Sequence, residues 1–219
     1  MKIKVLYEDK DILAIDKPSG VLVDAILAEY PKFILAHRLD KETSGVLLLA
    51  KNEKAHEFLK QQFKERKVKK IYHAIVVGNI KKDSGIINKP IGRSPRDFRR
   101  RLAGRGARGE MREAVTEYKV LKRFGTPSKK FTYLEVKPKT GRTHQIRVHL
   151  KFFNYPVVGD TLYNPKGLPL PNLPLRRGRS GGGIPRMMLH AFSIEFKNLS
   201  GKIIKVESSL PKEFQKIYR

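Results

Sequence analysis

The 219-residue chain sets 47 Lys and Arg against 21 Asp and Glu, a formal net charge of +26, and its pI is near 10.3. A surplus of that size calls for a polyanionic partner. With no uninterrupted apolar span of about 18 residues and no long basic amphipathic helix, nucleic acid is favoured over a membrane. The absence of Cys excludes disulfides and thiolate chemistry. The early charges of Met1-Lys2-Ile3-Lys4 speak against a signal peptide, so a soluble cytoplasmic protein is expected.

In chain order, residues 3–7 and 12–15 read as short strands around the polar turn Glu8-Asp9-Lys10-Asp11. Lys17-Pro18-Ser19-Gly20 follows as a turn, with Pro preset and Gly permissive. Val21 to Val23 reads as a resumed strand before a poorly patterned stretch. The chain is organised around residues 36–52. There the polar cluster His37, Arg38, Asp40, Lys41, Glu42, Thr43, Ser44 meets the apolar run Val46 to Ala50, which is bounded by Gly45 and Lys51 and reads as a buried strand. The cluster then lies at the mouth of a sheet, where a rigid scaffold can present reactive groups. Asp40 is the candidate centre. Its cationic neighbours Arg38 and Lys41 favour an ionised carboxylate, the form that acts as nucleophile or base.

His37-Arg38-Leu39-Asp40-Lys41 with Thr43-Ser44-Gly45 resembles the motif of the RluA-type pseudouridine synthases, in which the Asp is catalytic. The resemblance continues in order downstream. Lys70-x-Tyr72-x-Ala74-x-Val76-x-Gly78 is similar to the second family motif, although by composition alone Tyr72 is an ordinary core aromatic of a strand. Lys139-Thr140-Gly141-Arg142-Thr143-His144-Gln145-Ile146-Arg147 is similar to the third. Tyr155 to Tyr163 and Arg186-x-x-Leu189-His190-Ala191 extend the likeness, with Asn164 where a Gly is common. Many members carry an N-terminal S4 module; here the catalytic pattern starts at residue 3, and none is expected.

Between these motifs the residues give plainer readings. Asn52 caps a helix to about Arg66 that buries Ala55, Phe58, Leu59 and Phe63. Residues 69–78 form a strand, 115–121 and 131–136 a strand pair, and 139–150 a turn entering a helix. His144 and His149, five apart, fall on different sides of that helix, which argues against a metal site. Residues 92–113 hold eight Arg and no Lys with few apolar side chains, and read as a mobile basic loop. Residues 164–186 read as a Pro- and Gly-rich loop in which Arg176, Arg177 and Arg179 offer a second RNA contact. A terminal hairpin over 188–207 and a short helix complete a single domain over residues 1–219.

The resemblance implies an α+β pseudouridine synthase fold, a mixed, largely antiparallel sheet with flanking helices and a central active-site cleft. It implies isomerisation of uridine in rRNA or tRNA to pseudouridine on a flipped-out base, without metal, nucleotide or redox cofactor. Asp40 is then the essential carboxylate, Arg147 its counter-charge, and Tyr72 the ring against the uracil. Arg38 fills the position the uridine vacates, Ile146 and Leu189 form apolar walls, and Arg99, Arg100 and Arg101 grip phosphates. A monomer bound to RNA is expected. The competing expectation is a non-catalytic RNA-binding or ribosome-assembly protein of the same fold.

Overall fold

The seven residues Ser44–Ala50 form a strand in which every residue is buried. A strand covered on both faces needs an apolar layer on each side, and period-two alternation supplies both. Val46, Leu48 and Ala50 join Ile12, Ala14, Leu59, Ile194 and Phe196 in one cluster. Leu47 and Leu49 join Leu13, Ile15, Val23, Ile26 and Leu39 in the other.

The computed structural model describes residues 3–104, 106–165 and 186–218. In chain order its elements begin with β1 (Lys4–Glu8), β2 (Ile12–Lys17), α1 (Val23–Glu29), β3 (Ile34–Leu35), β4 (Ser44–Ala50) and α2 (Glu53–Lys64). Next come β5 (Lys69–Val77), β6 (Ser84–Asn88), β7 (Ile91–Arg93), β8 (Arg101–Ala103) and β9 (Arg108–Arg112). The chain closes with β10 (Val115–Thr126), β11 (Lys129–Pro138), α3 (Gln145–Phe152), β12 (Leu189–Lys197), β13 (Ile203–Glu207) and α4 (Lys212–Tyr218). Two compact units result: one up to Tyr72 and from His190 to Pro211, the other from His73 to Leu189 and from Lys212 on.

The first unit pairs β1, β2, β4 and β12 in that order, with β3 also on β4 and β13 on β12. All these pairs are antiparallel except β4 with β12, which run parallel. Helix α2 starts as expected, the Asn52 side chain accepting from Ala55 N at 2.9 Å, and buries Ala55 and Leu59. The expected strand at Val21 to Val23 is replaced by the start of α1. Val23, Ile26, Leu27 and Tyr30 recur at helical spacing, and Val23 and Ile26 are buried, so the stretch carries a helix stripe that its short length concealed.

The second unit orders β5, β11, β10 and β6, dominated by the long β10–β11 hairpin. Residues 92–113, expected as a mobile loop, instead supply most of the strand residues of a separate three-stranded antiparallel sheet ordered β8-β7-β9. Few apolar residues suffice because Ile91, Ala103 and Ala114 pack with Val148 and Tyr163 from elsewhere. Gly104 at φ +72° permits the backbone turn that leaves β8. Mixed, mostly antiparallel pairing with few helices agrees with the expected fold class. Among the described residues, no helix is long and apolar enough to cross a membrane.

Candidate active site

Asp40 opens a tight turn in which its carbonyl accepts from Thr43 N at 3.1 Å. The Lys17–Gly20 turn binds the remaining carbonyls of that segment. Buried Lys17 donates through Nζ to Lys41 O at 2.9 Å, Thr43 O at 2.8 Å and Pro18 O at 3.0 Å. Ser19 Oγ donates to Glu42 O at 2.6 Å, and Gly20 N donates to Lys41 O at 2.9 Å. Three backbone carbonyls thus bind this buried ammonium, which fixes the loop bearing Asp40. Sequence reading took Lys17 as part of a turn and missed this task; an isolated Lys between a strand and Pro was the available signal.

Three expected site residues, Arg38, Asp40 and Tyr72, fall in this unit. Arg38 is exposed and Asp40 half-buried. Tyr72 packs against the cluster around Leu39 and Leu47. Burial, and then the negative charge of Asp40, push its hydroxyl well above the usual phenol pKa. His37, prominent in the motif, has a structural role. Its Nε2 accepts from Leu48 N at 3.1 Å, its ring lies 5.0 Å from that of Phe63, and burial followed by the charge of Lys70 lowers its pKa to about 3. Ser44 Oγ and His190 Nδ1 share a buried 2.7 Å hydrogen bond beside the parallel β4–β12 pairing.

The second unit carries Ile146, Arg147, Leu189 and Arg99 to Arg101. Ile146 and Leu189 are buried. The turn before α3 is anchored through Gln145. Its Oε1 accepts from Thr140 Oγ1 at 2.6 Å and Arg142 N at 3.0 Å, and its Nε2 donates to Val115 O at 2.9 Å and Thr116 Oγ1 at 3.0 Å. His149 Nε2 must donate to Lys89 O at 2.9 Å, because a carbonyl only accepts, so Nδ1 accepts from Thr116 Oγ1 at 2.8 Å. Arg147, 6% exposed, meets a partner the sequence reading did not single out: Nε donates to Asp160 Oδ2 at 2.7 Å and Nη2 to Asp160 Oδ1 at 2.9 Å.

Of the expected phosphate contacts, Arg99 is tied to Asp97 through Nε at 3.1 Å and Nη2 at 2.9 Å, and Arg100 Nε lies 3.5 Å from the same carboxylate. Arg101 alone of the three lines a recess of about 530 Å³, together with Arg93, Arg108, Arg112 and Arg142. Arg101, Arg93 and Arg108 sit directly opposite one another across β8, β7 and β9. Among the described residues of the lining, Glu110 alone is acidic, and it pairs with Arg112 at 3.0 Å. Arg105, Arg176, Arg177 and Arg179 lie outside the described residues. Among those described, one side-chain group has metal-ligand spacing, Glu53, His56 and Glu57 on α2, with both carboxylates exposed.

A mixed, mostly antiparallel sheet with few helices defines the pseudouridine synthase class of fold. A family model described as RNA pseudouridylate synthase matches residues 11–152, and the chain belongs to this RluA-type family. It is 43% identical over 192 residues to an uncharacterized RNA pseudouridine synthase of Aquifex aeolicus, covering 77% of this chain and 58% of the relative. It is 33% identical over 237 residues to ribosomal large subunit pseudouridine synthase D of Borreliella burgdorferi, covering 97% and 66% respectively. The solved structure of human RNA pseudouridylate synthase domain containing 1 superposes with a TM-score of 0.79 at 29% identity, covering 96% of this chain and 84% of that one.

Proposed function

We propose that the chain converts uridine in structured RNA to pseudouridine, breaking the bond from C1′ to N1 and forming one from C1′ to C5, with the C5 proton lost and N1 protonated. The observation that carries the reading is the Asp40 turn, whose Lys17, Ser19 and Gly20 contacts support a carboxylate held in one place. Asp40 is the reactive carboxylate, at the ribose or the base, and Arg147 its counter-charge. Tyr72 lies against the uracil. Because burial and Asp40 keep its hydroxyl protonated, it assists loss of the C5 proton as a relay, accepting that proton on oxygen while its own passes to water, from which N1 is protonated. Arg38 fills the place of the displaced uridine, whose unstacking costs a few kcal/mol; Ile146 and Leu189 are the apolar walls.

The five-arginine recess is the phosphate-gripping surface in this reading, and the curated relatives named for the large ribosomal subunit favour its rRNA as substrate. Tritium release from RNA carrying C5-labelled uridine, transcribed as large-subunit fragments and as tRNA, tests the proposal. Release from a ribosomal fragment is the expected result. Tight RNA binding with no release from any RNA would favour the non-catalytic RNA-binding alternative.

A further inference from the structure

We propose that Asp160 is a positioning residue for Arg147, an inference that rests on the reading above in which Arg147 acts in uridine isomerisation. A long arginine side chain on a helix is not aimed by its backbone alone, since several rotatable bonds separate guanidinium from Cα. Here α3 sets the Cα of Arg147, and Asp160 sets its far end. The side-on pair, Nε to Oδ2 at 2.7 Å and Nη2 to Oδ1 at 2.9 Å, fixes both the plane and the rotation of the guanidinium.

The anchor is itself held. Asp160 has a fully buried side chain, and its Oδ1 also accepts from Leu162 N and Tyr163 N, each at 3.0 Å. Its backbone carbonyl accepts from Asn164 N at 2.8 Å. The same turn places the Tyr163 ring 5.0 Å from Arg147 Cζ, covering one face of the guanidinium. The Tyr163 hydroxyl then accepts from Arg101 N at 2.9 Å and bonds His144 Nδ1 at 2.9 Å, which ties the turn to β8 and to the start of α3. One edge and one face of the cation are thus set by residues 160–163, and the direction of the other edge follows.

A purely structural ion pair would show the same contacts, so the test must separate aim from stability. Asp160→Asn keeps the volume but replaces one acceptor oxygen with an amide NH₂ facing a donor. With folded protein under single-turnover conditions, a loss of about 100-fold in tritium release is expected, the scale of a misplacement near 1 Å, with RNA Kd within about threefold. In an Arg147→Lys background the same change is expected to cost less than about threefold, because residues acting through one another are not additive. A second readout needs no activity. The Arg147 Nε–H resonance, assigned by its loss in Arg147→Lys, is expected to be protected from solvent exchange and to lose at least tenfold of that protection in Asp160→Asn. Asp160→Glu, which keeps the charge, serves where Asn prevents folding and is expected to show an intermediate effect on both readouts.

Wild-type turnover in the folded variant, an undiminished effect on top of Arg147→Lys, or unchanged Nε–H protection would each overturn the proposal. Failure of the wild-type chain to release tritium from any RNA would instead overturn the reading of function, and the resonance would still show whether Asp160 holds Arg147.

Discussion

A β-carbon placed on Gly45 would stand 2.1 Å from the carbonyl oxygen of Ala191. Gly45 lies in the register of the parallel β4–β12 pair, opposite Ala191, at φ +111°. Glycine is required here on two counts, the backbone conformation and the close approach of a neighbouring strand. Gly45→Ala is expected to cost on the order of 3–5 kcal/mol, from backbone strain plus an obstruction that only backbone movement can relieve. Urea unfolding of the variant checks this, and a loss below about 1 kcal/mol would show that the strand pair tolerates the methyl group.

Lys17→Met retains the stem of the side chain and removes the ammonium from Lys41 O, Thr43 O and Pro18 O. Lys41 O keeps Gly20 N as a donor, so the deficit is greatest at Thr43. A destabilisation of about 1–3 kcal/mol is expected, together with a loss of turnover in the remaining folded protein larger than any loss of RNA affinity. Equal turnover per folded molecule would mean that the clamp stabilises the fold without aiming Asp40.

Asp40→Asn is expected to abolish pseudouridine formation and leave RNA affinity within a few-fold, since the basic surface dominates binding. The same change removes the second cause of the raised Tyr72 pKa. The Tyr72 hydroxyl should therefore titrate at lower pH in the variant, while still above an exposed tyrosine because burial remains. Tyrosine-selective NMR across alkaline pH reads this directly, and an unmoved midpoint would separate the two residues electrostatically.

Acid should destabilise the fold well above the carboxylate range. His37 is lowered to about 3 by burial and then by Lys70, and His73 to about 4 by burial, opposed by Glu135. Both folded values lie below the ordinary 6.5, so below that pH the unfolded chain binds protons that the folded chain does not. Stability is present above pH 6.5 and falls as pH drops toward 4, by up to about 2–3 kcal/mol per pH unit for two such groups. His37→Gln, which can still accept from Leu48 N, should flatten the fall. Urea midpoints at pH 7, 6 and 5 that do not change would rule out this linkage.

Replacing Arg93, Arg101 and Arg108 with Ala should weaken RNA binding and flatten the slope of log affinity against log salt by up to about 2–3 units. Because like charges directly opposite across strands repel, the variant is expected to be at least as stable as the wild type. Opposite signs for binding and stability mark a surface kept for a polyanion. An unchanged salt slope would remove the recess from the RNA-binding surface.

Much of this molecule is set locally and is visible in the sequence. The buried strand around Val46 to Ala50, the Asn52-capped helix and the strand pair at 115–121 and 131–136 follow from a bounded apolar run, capping and turn chemistry, which act within a few residues. The family motifs likewise mark Asp40, Tyr72 and Arg147 as candidates. Tertiary structure decided what those residues touch. Lys17 reaches carbonyls 24 and 26 residues away, and Asp160 meets Arg147 13 residues on, pairings that no helical or strand period encodes. The arginine-rich stretch shows the same limit in reverse. Its own composition argues against folding, yet Val148 and Tyr163 supply the missing apolar surface, and burial contributed from a distance is the one stabilising quantity that local pattern cannot count.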